Sequence, residues 1–281
     1  MKRAHQIRRQ RGFSLIEMMI ATVIFVLLCG AAFALLSLAQ QRYQTESQVL
    51  NSFQEARFGL DEMVRDVNGS GYPPENSFSF STATPSATLY ASTPVAWSPG
   101  YATNTPCVID SGIGTVCTTP SDYDLIIERD VDPWRHDGVE WTRYQLAGNV
   151  LSRAQTYKVA GGDPDGTTSP AFVPYVQNVM NNDPTLSLSG AQLAQFRAAY
   201  PNMFPGGNPV PIFSYICPNP TPPPASIACS LAGSNNSPVN VTDVEITLIV
   251  MAPTVDAQTG QPRLIELHGR GHSLNPIQSQ P

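Results

Sequence analysis

The sequence predicts an α+β protein: a long N-terminal helix, membrane-spanning in its first half, packed through its second half on an antiparallel β-sheet with loop-rich, disulfide-closed insertions. Three observations carry that expectation. Met18 to Ala39 contains no formally charged residue. Directly after it, apolar residues recur at helical spacing as far as Val67. From Pro73 onward the chain holds all 26 of its prolines, mixed with Ser, Thr, Asn and Gly, and segments of period-two apolar alternation take over.

Residues 1–12 carry Lys2, Arg3, Arg8, Arg9 and Arg11 and no acid. The 22 uncharged residues from Met18 to Ala39 make roughly 33 Å of helix at about 1.5 Å per residue, enough to cross a bilayer. Basic residues ahead of such a run hold the N-terminus in the cytoplasm and send everything after Ala39 outward. A secretory signal peptide fits less well. The run exceeds the usual apolar region of a signal, and "SLAQQRYQTE" after it forms no good small-residue cleavage site. Glu17 is the anomaly, because a charged side chain at the bilayer centre costs about 2.5 to 3.5 kcal/mol.

Beyond the apolar run, Val49, Phe53, Ala56, Leu60, Met63 and Val67 step by four and three, as one face of an amphipathic helix does. Arg57, Asp61 and Arg65 follow at i,i+4 on the polar side. "VNGSGYPP" then supplies Asn68 and Gly69 for a left-handed cap and two prolines to stop the helix. The expected organisation is a basic leader (1–12), an apolar half-helix (13–39), an amphipathic half-helix (40–69) and an exported β-sheet body (70–281).

Within the body, "DYDLIIERD" (122–130) reads as a buried strand, and "VEWTRYQLAGNVLSRAQTY" (139–157) as a hairpin turning at "AGN". In "NVTDVEITLIVM", Val244, Ile246, Leu248 and Val250 share one face while Glu245 and Thr247 take the other. "RLIELHG" pairs back across "DAQTGQP". The stretches 70–121 and 161–240 are expected to be loop-rich, with one short helix in "SGAQLAQFRAAYP" capped by Ser189 and Gln192.

Cys107 and Cys117 lie close in sequence, as do Cys217 and Cys229, all in the exported part where disulfides persist. Two local disulfides are expected, although four cysteines allow three pairings. Cys29, inside the apolar run, reads as a small packing residue. Neither pair has metal-ligand spacing, and no metal or cofactor is expected.

Of the sixteen basic residues, five sit in the first twelve positions, leaving eleven against all 22 acidic ones in the remainder. That balance argues against nucleic acid as a partner, since such binding neutralises phosphates with Lys and Arg. Asp130, Asp132, Asp137, Asp163 and Asp165 contain oxygen ligands suited to calcium, but their glycines fall at the wrong offsets for an EF-hand, and turn formation is the better reading. His268 and His272 are expected in a solvated C-terminal tail. With no nucleophile elbow, phosphate loop or zinc-protease motif, no catalytic residue and no enzyme activity are expected.

A basic leader ending in Gly12, followed by "FSLIEMMIATVIF", resembles the N-terminal signature of type IV prepilins and type II secretion pseudopilins. The resemblance implies the pilin fold, cleavage after Gly12 by the membrane prepilin peptidase, N-methylation of Phe13, and an assembly role for Glu17 opposite the new N-terminal amine of a neighbouring subunit. "EARFGLDEMVRDVNGSGY", "VEWTRYQLAGNVLSRA" and "VTDVEITLIV" resemble segments of PilW-like minor pilins, two of them shared with J-type pseudopilins. The function so implied is that of a minor pilin in pilus initiation or a tip complex. Its partners would be other minor and major pilins, the peptidase and the inner-membrane assembly platform. The location would be a single inner-membrane pass with the body in the periplasm and then the filament. A J-type pseudopilin and a tip adhesin are the alternatives; gene neighbourhood separates the first from the minor pilin.

Overall fold

The computed structural model describes residues 13–78, 86–109, 114–135, 137–182, 190–218, 226–231, 236–255 and 261–273. The chain divides into two compact units, with the boundary between Gln48 and Val49. Gly12 and the rest of the leader lie outside the described residues, as does Ser189 of the expected capping box.

Helix α1 runs unbroken from Leu15 to Asn68, two residues short of the expected start at Phe13. In the first unit its large apolar side chains from Leu15 to Leu38 are exposed. Among the described residues it is the one helix long and apolar enough to cross a membrane. Thr22 closes its hydroxyl onto the Met18 and Met19 carbonyls at 3.0 and 2.9 Å, so the apolar run satisfies its own polar group.

The second unit begins with the amphipathic end of α1, where Val49, Ala56, Leu60, Met63 and Val67 are buried as their spacing requires. Strands β1 (Val95–Ala96), β2 (Asp124–Arg129), β3 (Glu140–Ala147), β4 (Val150–Tyr157) and β5 (Val173–Val176) form an antiparallel sheet in chain order. Ala147 pairs with Val150, so β3 and β4 turn through Gly148 and Asn149, and Gly148 supplies the positive φ of 63° that tight hairpins need. Helix α2 (Pro164–Thr168) precedes β5, and helix α3 (Gly190–Ala199) follows it.

Strands β6 (Phe213–Pro218), β7 (Ser226–Ala228), β8 (Asp243–Val255) and β9 (Pro262–His272) build a second antiparallel sheet in the order β7-β6-β8-β9. Val244, Ile246, Leu248 and Val250 are buried while Glu245 faces solvent. The helix and both sheets share one core: Leu60, Met63 and Val67 meet Leu125, Ile127 and Tyr144 of the first sheet and Phe213, Ile246 and Leu248 of the second. Close approach depends on glycine at the helix crossings. A Cβ on Gly59 would lie 2.5 Å from Val176 in β5, and one on Gly271 in β9 would lie 2.5 Å from the Val67 Cβ.

The expected α+β class holds, with the long helix packed on antiparallel β-sheets. There are two of these, because β6 and β7 arise within the stretch 161–240 read as loop-rich and join β8 and β9; Phe213, Tyr215 and Cys217 alternate inward there, over too few residues amid prolines to stand out. One expectation is corrected. His268 and His272 belong to β9 rather than a solvated tail, since β9 pairs antiparallel with β8, Asp243 with His272 and Thr247 with His268.

Candidate functional site

The described part of the N-terminal signature begins with Phe13, whose ring is 82% exposed. Glu17 sits in the first turn of α1, and its Oε2 accepts a 3.0 Å hydrogen bond from the Ser14 backbone N–H. That bond is one half of a capping box, in which an acid at the third helical position satisfies a backbone donor that has no partner inside the helix. The negative charge also lies at the positive end of the helix dipole. Ser14-Leu-Ile-Glu17 ahead of an apolar run is the sequence signal for this cap.

At the other end of α1, within the second unit, Asp66 is completely buried. Its carboxylate meets Arg129 of β2 at 2.7 Å, Arg153 of β4 at 3.2 Å and the Tyr144 hydroxyl of β3 at 2.6 Å. Burial first, and then the Asp66 charge, push the Tyr144 phenol far above its ordinary pKa, so it stays a neutral donor. Three strands thus hold the last turn of the helix through one acid.

A second buried ion pair lies between β2 and the end of β4, Lys158 Nζ to Glu128 Oε2 at 3.1 Å. Glu128 also accepts from the Ser92 N–H, the Trp141 indole and the Tyr101 hydroxyl. Lys158 also donates to the Tyr90 carbonyl and the Ser92 hydroxyl. Three acceptors thus meet the ammonium and both carboxylate oxygens are engaged, so the pair ties β2 to the residue that follows β4.

Arg143 of β3 bridges Asp124 at 2.5 Å and also pairs with Asp165 of α2. Asp163 caps α2 by accepting from Gly166 N–H at 3.3 Å, Asp132 pairs with Arg135, and Asp137 accepts from Tyr157. These acids serve turns and ion pairs, and among the described residues no group of three His, Cys, Asp or Glu is placed to hold a metal ion.

Disulfides join Cys107 to Cys117 and Cys217 to Cys229, with Cα atoms 5.1 and 4.8 Å apart, and Cys29 is a free thiol. All four bonded cysteines are buried in the main core. The bridges therefore anchor the bases of their loops to the packed interior.

Helix α1 thus combines an acid-capped start with an exposed apolar surface. Residues 7–33 match the family model described as the prokaryotic N-terminal methylation motif. The match supports a type IV pilin or pseudopilin class and implies processing by a prepilin peptidase and assembly with other pilins. The matched stretch ends within the apolar half of α1 and does not reach the body. No curated protein and no solved structure matches the chain.

Proposed function

We propose that the chain is a PilW-like minor pilin that takes part in initiating or capping a type IV pilus. The observation that carries this is the methylation motif at the head of an exposed apolar helix that runs without a break into a folded body. The peptidase cuts after Gly12 and frees the amine of Phe13 for methylation. Until assembly the protein rests in the inner membrane with its N-terminus cytoplasmic and its body periplasmic, held there by the apolar half of α1. Its role is structural rather than catalytic: it joins other minor and major pilins on the assembly platform.

Glu17 is the residue through which subunits register. Pairing its carboxylate with the Phe13 amine of a neighbour compensates a charge that is costly in lipid, so the penalty falls on unassembled or misaligned subunits. Glu17→Gln tests this cleanly. Glutamine still accepts the Ser14 N–H and keeps the cap, while the charge is gone. Membrane insertion and cleavage should persist, and recovery in sheared filaments and crosslinking to partner pilins should fall at least tenfold. Incorporation at the wild-type level would show that the carboxylate is only a helix cap.

A further inference from the structure

The chain contains two lysines, Lys2 in the leader and Lys158; of the eleven basic residues after the leader, the other ten are arginine. The side chain of Lys158 is 2% exposed and that of Glu128, which it meets, 0%. Arginine would serve a buried ion pair at least as well, as Arg129 does for Asp66 and Arg143 for Asp124. What lysine alone brings is an amine that becomes a nucleophile once it gives up a proton.

The surroundings of the pair are suited to that chemistry. Nζ lies 3.1 Å from Glu128 Oε2, so amine and carboxyl group are held side by side, a proximity that replaces a bimolecular encounter. The two carboxyl oxygens differ in their partners. Oε1 accepts from the Tyr101 hydroxyl and, at 2.9 Å, from the Trp141 indole N–H, two donors on the oxygen where negative charge would develop during attack on the carboxyl carbon. Oε2 accepts from the Ser92 N–H at 2.8 Å as well as from Nζ. Nζ is aimed by two further acceptors, the Ser92 hydroxyl at 2.7 Å and the Tyr90 carbonyl at 3.1 Å. Around them the Tyr90 and Tyr101 rings lie 5.6 and 5.7 Å from Nζ, and Trp97 and Trp141 pack edge-on against Tyr101.

We propose that Lys158 and Glu128 condense to an intramolecular amide, Nζ bonded to Cδ, with loss of one water molecule. The ammonium passes one proton to Oε2, which leaves a neutral amine beside a neutral acid and removes two charges that are costly in an apolar surround. The nitrogen lone pair attacks Cδ, and the charge that develops on Oε1 is held by Tyr101 and Trp141. The nitrogen then gives a second proton to Oε2, the Cδ–Oε2 bond breaks, and that oxygen departs as water. Ammonium and carboxylate thus give an amide and water, with atoms and charge in balance. Burial keeps water from returning to reverse the step. The amide links β2 to the residue after β4 across 30 positions, and reduction, which opens both disulfides, leaves it closed.

The test is mass spectrometry on the full-length protein purified from membranes, then reduced and denatured. Compared with Lys158→Arg in the same preparation, and after allowing for the substitution itself, wild type should be lighter by the mass of one water. Proteolysis should release a pair of peptides joined through Glu128 and Lys158. Because the comparison is internal, it holds whatever is cut from the N-terminus; because the peptide map needs no variant, it decides the matter even where Lys158→Arg does not fold. Tyr101→Phe keeps the ring but removes one donor from Oε1, so in freshly synthesised protein sampled at a fixed time the linked fraction should fall severalfold. Separate Glu128 and Lys158 peptides from wild type that is folded by circular dichroism overturn the proposal, as does a water loss that maps elsewhere, for example to Asp165-Gly166. An unchanged linked fraction in Tyr101→Phe overturns the role given to the donors on Oε1.

Discussion

Asp66 and Arg129 form a 2.7 Å salt bridge in which the carboxylate side chain is 1% exposed, tying the last turn of α1 to the end of β2. Arg153 and Tyr144 converge on the same acid, so the helix end is held by charge and by packing at once.

Replacing Asp66 with Ala should therefore cost about 3 to 5 kcal/mol, the usual penalty for breaking a buried pair, because two largely covered guanidinium groups and a buried phenol lose their acceptor. Urea unfolding of the full-length protein in detergent, followed by near-UV circular dichroism, measures it. A loss below about 1 kcal/mol would mean the network relaxes to water and is not what holds the helix end.

Gly271 has a different relationship to the helix, one of missing volume. Gly271→Val should destabilise by about 1 to 3 kcal/mol, as overpacking does, since its Cβ would fall 2.5 Å from the Val67 Cβ and 3.3 Å from the Val64 carbonyl oxygen. Trimming the partner in a Gly271→Val, Val67→Ala double variant should recover part of the loss. Additive losses would show that the two positions do not meet.

The sensitivity of the second sheet to acid should centre on Asp243. Burial alone would raise its carboxyl pKa, but hydrogen bonds from Arg270, Thr242 and His272, with the Arg270 charge, outweigh burial and hold it below the ordinary value. A folded-state pKa below the unfolded one contributes stability that is present above the unfolded pKa, near about 4, and is lost as pH falls through the folded value. Asp124 works the other way, because burial raises its pKa against the pull of Arg143. The informative quantity is thus the difference between variants. Between pH 6 and about 3, Asp243→Asn should lose less stability than wild type when urea midpoints are compared; parallel curves would remove Asp243 from the acid response.

The sequence alone determined the features governed by local rules. The apolar run, the four-and-three stripe from Val49 to Val67 and the stop at Asn68 depend on helical period and capping, and α1 ends at Asn68. The β3–β4 hairpin and the buried face of β8 follow from period two and a glycine at the turn. The methylation motif was legible because it is a short contiguous pattern. Tertiary structure alone decided what depends on distant residues meeting. The split into two sheets needed β6 to find β8 rather than the first sheet. The same holds for the grip of three strands on Asp66, the pairing that turns His268 and His272 into strand residues, and the glycines of β9 that admit the helix. Trp134 is the plainest case. Trp97 and Trp141 are buried while Trp134 is exposed, because exposure is a property of what packs around a residue and not of the residue.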